Sequence, residues 1–327
     1  MRKSAFAIVL VLVSAMAVWA ADGDGGYAGS FLQVPIGARP TAMGGAYIAI
    51  ANDGAGALYN PAGLSTLQKK MFATSYRAMD LDRRLGYVFL AFPTHLSSAL
   101  GFHYLYAGSG SVDARNTDGD VLGWELAENN HVFSVVFAKR FERWFSAGIK
   151  MNYMYTRYWE MSANTVGIDL GTMFYVSDLF GRVRRDRMPV QDIRVGLTLR
   201  SIGAVNNWNS DRYVREHLGR SFPAVEQEDD YPIEFGIGVS GRLMERRLLL
   251  ATDVKKNTQQ GAAFHAGAEY FIRPQFAVRA GFSDGRLTAG TGYVFRLSNH
   301  VLAVDYAFST DKADEGSEHI FSFDILF

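Results

Sequence analysis

Phe145-Ser146-Ala147-Gly148-Ile149-Lys150-Met151-Asn152-Tyr153-Met154-Tyr155 separates into two faces. Phe145, Ala147, Ile149, Met151, Tyr153 and Tyr155 share one; Ser146, Gly148, Lys150 and Asn152 share the other. Successive strand side chains point to opposite faces, so this is a strand with one apolar and one small or polar face. The pattern recurs. Ile233, Phe235, Ile237 and Val239 oppose Glu234, Gly236, Gly238 and Ser240. Leu302, Val304, Tyr306 and Phe308 oppose Ala303, Asp305 and Ala307. At the end of the chain Phe321, Phe323, Ile325 and Phe327 oppose Ser322 and Asp324.

Working outward, the same period predicts fourteen strands: 69–79, 84–93, 97–107, 128–140, 143–157, 162–175, 191–204, 231–242, 247–257, 262–272, 275–283, 286–296, 299–309 and 318–327. Most exceed the usual soluble strand of about 5–6 residues and match the ~9–11 that cross a bilayer at a tilt. The non-apolar face carries Lys150, Glu234, Asp253 and Glu269 among Gly, Ser and Thr. A soluble sandwich buries its apolar faces in a shared core. A barrel with lipid outside and a polar lumen needs the division seen here, and closure leaves no unpaired edge in hydrocarbon. The fold class expected is an all-β membrane protein, an antiparallel outer-membrane barrel of about 14 strands. Tyr106, Tyr158, Trp159 and Tyr231, near strand ends, fit interfacial girdles.

Composition agrees. The 327 residues are 48% hydrophobic and 13% aromatic, with 33 basic and 33 acidic residues and no cysteine. A mean hydropathy of −0.02 shows apolar and polar residues finely mixed, which excludes a polytopic helical membrane protein. Balanced charge gives no field for nucleic acid. Absent cysteine excludes disulfides, thiolate metal sites and a lipidated N-terminal cysteine.

Arg2 and Lys3 precede an apolar run from Ala5 to Trp19 that exits through Val18-Trp19-Ala20. This reads as a secretory signal peptide, residues 1–20. Residues 22–65 follow, rich in Gly and Ala and without alternation. Within them Thr41–Ile50 is expected to be a short helix after Pro40, and Asn60-Pro61-Ala62-Gly63 a turn or helix start. If the first strand rises from the periplasm, the long connections 108–127 and 205–230 both fall outside, as outer-membrane barrels require. The loop 176–190 breaks that asymmetry. Its Arg182, Arg184, Arg185 and Arg187 read as a solvated loop or as a dock for acidic headgroups or a periplasmic partner.

Two motifs carry no chemistry in this context. Gly236-Ile237-Gly238-Val239-Ser240-Gly241 is a literal G-x-G-x-x-G, but a dinucleotide site needs it between a strand and a helix, and here it lies inside a strand. Asn116, Asp118, Gly119 and Glu125 match part of a calcium loop, yet Ala114 stands where the first carboxylate is required. His265 and Glu269 share an inward face without a nucleophile in register. No enzyme, cofactor or metal is expected.

Gly37-Ala38-Arg39-Pro40-Thr41-Ala42-Met43-Gly44-Gly45-Ala46, Asn52-Asp53 and Tyr59-Asn60-Pro61-Ala62-Gly63-Leu64 resemble the start of PorV/PorQ-family proteins, within the wider FadL-like group of outer-membrane barrels. Gly167–Gly171 and Val195–Gly203 are similar to the family's mid-barrel strands, and Phe327 to its terminal aromatic. Pro40-Thr41 and Tyr59 depart from the commoner small or apolar residues and Trp. The resemblance implies an N-terminal plug (21–66) inside the barrel (67–327). Gly44, Gly45, Asp53, Asn60, Pro61, Ala62 and Gly63 are then candidate plug or gating residues, and Phe327 the barrel-assembly signal. It implies an accessory or escort component of protein secretion, with outer-membrane lipid, the barrel-assembly machinery and secretion-system proteins as partners. The alternative is a FadL-like channel for long-chain fatty acids or other small hydrophobic compounds.

Overall fold

Fourteen strands hydrogen-bond in sequence until the last meets the first. The computed structural model describes residues 27–80, 82–94, 97–116, 118–159, 161–180, 189–209, 226–283, 285–310 and 317–327. The expected leader (1–20) and the arginine run 182–187 lie outside the described residues. The barrel strands are β1 (Met71–Ala78), β2 (Arg84–Thr94), β3 (Ser98–Gly108), β6 (Glu128–Glu142), β7 (Phe145–Tyr158), β8 (Met161–Tyr175), β9 (Gln191–Ile202), β12 (Glu234–Leu243), β13 (Leu248–Asn257), β14 (Ala262–Arg273), β15 (Phe276–Ser283), β16 (Arg286–Leu297), β17 (His300–Thr310) and β18 (Ser317–Leu326). Each pairs antiparallel with its neighbours, and β18 closes on β1 through Met71 opposite Leu326. All fourteen expected strands are present, with ends displaced by about three residues at most.

The alternation assigns the faces as read. Val135, Phe137, Ile149, Met151, Phe235 and Ile237 are exposed on the outside, while Ser134, Lys150, Asn152, Glu234 and Asp253 are buried inside. The outward row from Phe133 to Phe141 on β6 runs roughly 27 Å at ~3.4 Å per residue, or about 21 Å of membrane normal at a tilt of roughly 40°. That approaches the apolar band of such barrels, about 25 Å tall.

The two ends differ. One has tight turns such as Glu142–Phe145, Arg273–Phe276 and Leu297–His300. The other carries two further hairpins, β4 (Val112–Arg115) with β5 (Val121–Leu126) and β10 (Val205–Asn209) with β11 (Glu226–Asp230), inside the long connections. At the tip of the first, Asn116 Oδ1 accepts the Asp118 and Asp120 N–H at 3.0 and 2.8 Å, so the calcium-like residues form a hairpin turn.

Two expectations are corrected. The helix expected over Thr41–Ile50 is instead a single turn, Ala38–Ala42, ended by Gly44 and Gly45 at φ 63° and 77°. Tandem left-handed residues stop a helix, since its backbone cannot continue through positive φ. Tyr231 is no girdle residue: it precedes β12, is buried, and its hydroxyl accepts from Asn206 at 3.5 Å.

Candidate functional site

Residues 36–66 run through the barrel interior and are buried along most of their length. Met43, Tyr47, Ile48 and Ile50 pack inside, and Met43 and Tyr47 join the core formed with inward residues of the wall such as Phe89. The chain passes from one end to the other. Gly29 lies against Tyr231 at the long-loop end, and Lys69 Nζ reaches the Asn299 carbonyl in the turn joining β16 and β17 at 2.7 Å. Backbone so close to the wall needs wall residues without side chains. A Cβ at Gly236 would lie 2.5 Å from Ile48 Cδ1, and one at Gly148 2.5 Å from the Pro61 carbonyl carbon. The apparent nucleotide motif around Gly236 is therefore a clearance for the interior chain.

Polar contacts fix the segment at both halves. Arg39 forks onto the fully buried Glu269 of β14, with Nε and Nη2 at 2.8 and 2.9 Å from its two oxygens. Arg39 Nη1 also donates to Tyr47 (2.9 Å), Asn52 (2.9 Å) and Asp53 (3.1 Å). The Tyr47 hydroxyl in turn donates to Asp53. Glu269 is shared with Arg279 of β15 at 2.7 Å, and Arg279 reaches Asp305 of β17 at 2.6 Å. A buried carboxylate is tolerable only when it is paired and hydrogen-bonded, and Glu269 has both. Asp253 accepts the Tyr47 and Ile48 N–H at 2.6 and 2.9 Å, and Asp324 accepts that of Gly54 at 3.2 Å.

The candidate plug or gating residues read from the sequence lie on this seam. The Gly44 carbonyl meets His265 Nδ1 and the Gly45 carbonyl accepts from Lys255, both at 2.9 Å. Asp53 joins the Arg39 network and also accepts the Gly56 N–H at 3.0 Å. Asn60 is fully buried; its amide donates to the Ile48 and Thr172 carbonyls at 3.0 Å each, and its oxygen caps Ala62 N–H at 3.1 Å. Pro61 then opens a 3-10 helix, Pro61–Thr66, where its missing N–H costs nothing. The Ala62 carbonyl accepts from Ser146 at 3.3 Å, and Gly63 packs on Ala51. Phe327 lies elsewhere, exposed beyond β18, its N–H bonded to the Lys70 carbonyl at 3.0 Å. Reading the sequence missed Arg39, Arg279 and Asp324 as anchors; the inward parity of the last two was the available signal.

Above the segment, toward the long-loop end, lies a cavity of about 210 Å³. Its lining mixes apolar side chains, among them Ile36, Leu58, Leu105, Val132 and Met154, with polar and charged ones that include Lys255 and Arg286. Two of the charged sets are ion pairs, Lys150 with Asp169 at 2.7 Å and Arg200 with Glu234 at 2.9 Å. A bulge beside this set turns a backbone donor onto it. The β8–β9 register gains a residue between Leu170 opposite Leu199 and Ile168 opposite Ile202. Ser201 there takes φ 59°, and its N–H donates to Asp169 at 2.8 Å.

The chain matches no family model and no curated protein. Solved structures do resemble it. The Ralstonia pickettii toluene transporter TbuX superposes with a TM-score of 0.61 at 14% identity, over 89% of this chain and 98% of that one. The shared fold is the closed 14-stranded antiparallel barrel. The Pseudomonas putida toluene transporter TodX gives 0.60 at 12% identity, over 88% and 96%. A Pseudomonas aeruginosa FadL homologue gives 0.58 at 11%, over 89% and 98%.

Proposed function

We propose that the protein is a non-enzymatic outer-membrane conduit for small, largely apolar compounds, held closed by its interior segment. The observation that carries this is the cavity: apolar side chains of Leu58, Leu105, Val132 and Met154 within an otherwise polar lumen, directly above residues 36–66. Pockets for apolar ligands combine such side chains with a few fixed polar groups, here supplied by the Lys150–Asp169 and Arg200–Glu234 pairs. Likeness to toluene transporters supports the fold in which such a route is built. On this reading Gly44, Gly45, Asp53 and Asn60–Gly63 hold the closed position.

Lipid extraction and mass spectrometry of the purified protein test the proposal. Bound hydrophobic compound that disappears in Leu105→Arg supports it, and an empty cavity in native preparations counts against it. An escort role in secretion is the second reading, favoured by the PorV/PorQ-like residues 37–64. A crosslinking pull-down that recovers a secretion partner, with no bound small molecule, would select it.

A further inference from the structure

We infer that the tight-turn end of the barrel binds the phosphate headgroups of anionic phospholipids through cations set at the edge of its lipid-facing surface. Lys139 lies on the outward row of β6 itself, after Phe133, Val135 and Phe137, with its Nζ 5.5 Å from the centre of the Phe141 ring. Arg143 adjoins Trp144, Arg273 adjoins Ile272, and Arg296 adjoins Leu297, each of these neighbours being an exposed large apolar residue. Arg247 shares its turn with exposed Met244.

At this end Arg140 and Arg246 are paired, with Asp178 and Asp192. Among the described residues no carboxylate lies within 4.0 Å of Lys139, Arg143, Arg247, Arg273 or Arg296. This end also carries Glu142 and Glu245. At the other end the sign reverses among the described residues: the hairpins carry Asp113, Asp118, Asp120, Glu125, Glu228 and Asp229 against Arg115. The asymmetry is axial, so a chain of balanced total charge still presents a basic rim to one leaflet.

Position selects lipid over a soluble acidic protein. Lys139 follows Phe137 on the outer face, Arg143 and Arg273 adjoin outward residues at tight turns, Arg247 shares its turn with Met244, and Arg296 emerges at the strand end between outward Phe295 and Leu297. All five lie at the level where the apolar face ends, where long cationic side chains extend toward the phosphates. A basic residue near an anionic membrane surface is worth about fivefold in partitioning, within a Debye length of about 8 Å at physiological salt. The inference needs the barrel to sit in a membrane, but not that it conducts.

The test places the full mature protein in nanodiscs of equal phosphatidylcholine and phosphatidylglycerol and measures, by native mass spectrometry, the lipids that stay bound. The variant combines Lys139→Gln, Arg143→Gln, Arg247→Gln, Arg273→Gln and Arg296→Gln; a companion keeps Lys139 and replaces the four arginines by lysine. Heat-modifiable migration confirms folding. The wild type is expected to retain phosphatidylglycerol several-fold over phosphatidylcholine, the glutamine variant to approach the bulk ratio, and the lysine variant to keep most of the enrichment. If the glutamine variant fails to fold, salt titration of the wild type decides, because enrichment through these charges must fall as salt rises. Bulk-ratio lipid around the wild type would overturn the inference, even if an acidic soluble protein bound the rim. So would full enrichment in the folded glutamine variant, or enrichment indifferent to salt.

Discussion

Replacing Arg39 by Met should release the interior segment while leaving the barrel intact. Arg39 is the segment's charged link to the wall, forked onto Glu269 at 2.8 and 2.9 Å and bonded through Nη1 to Tyr47, Asn52 and Asp53. Removing one partner of a buried ion pair costs about 3–5 kcal/mol, mainly because a charge is left buried. Glu269 keeps Arg279 at 2.7 Å, so the cost should be smaller, about 2–3 kcal/mol. At 1.4 kcal/mol per decade, that moves the equilibrium toward the released segment roughly 30- to 150-fold. The assay is conductance in planar bilayers, with heat-modifiable migration as the folding control. Arg39→Met should open more often than the parent. A folded Arg39→Met barrel with parental opening frequency would refute the reasoning.

Other perturbations separate the parts of the account. Asn60→Ala removes the donor to the Ile48 and Thr172 carbonyls and uncaps Ala62; it should cost about 1–3 kcal/mol and raise permeability to bulky solutes less than Arg39→Met, as read by liposome swelling. Deleting residues 38–58 should leave an inserted barrel of still higher permeability, and a deletion that conducts no more than the parent would show that these residues do not occlude the lumen. Arg at Ile149 or Ile237, 41% and 39% exposed on the outer face, should cost about 2–4 kcal/mol near the midplane, measured by urea unfolding in liposomes; no cost at either position would sink the face assignment. Removing Phe327 should lower the folded fraction in outer-membrane preparations, and unchanged levels would speak against it as an assembly signal.

The barrel was legible because alternation is a local property, and an apolar outer face around a polar lumen keeps it strict. Phe145–Tyr155 alone shows both faces. Four strands left no such mark: Glu226-Gln227-Glu228-Asp229-Asp230 of β11 has no apolar residue to alternate. The helix expected at Thr41–Ile50 followed its apolar content and discounted Gly44-Gly45, whose backbone conformation ends it. Tyr231 precedes the first residue of its strand, so alternation could not say which way the ring points.

The anchoring of the interior segment was less legible. Arg39 lies in a stretch without periodicity, and Glu269 is 230 positions away. Only closure of the sheet brings β14 and the N-terminal chain together. Lys150, Glu234 and Asp253 could be read as inward, but not that Asp253 would receive two backbone N–H groups from Tyr47 and Ile48. The cavity depends on where residues 32–36 and 58–59 stop filling the lumen, and no single segment encodes that.

The conduit account is tested most directly by uptake of a radiolabelled monoaromatic hydrocarbon into cells whose outer leaflet is lipopolysaccharide and whose other such barrels are deleted. Expression of the protein should raise initial uptake, and Leu105→Arg, which puts a charge among the apolar side chains of the cavity, should return it to the level of cells without the protein at equal barrel abundance. Uptake that ignores both expression and the cavity substitution would contradict the account.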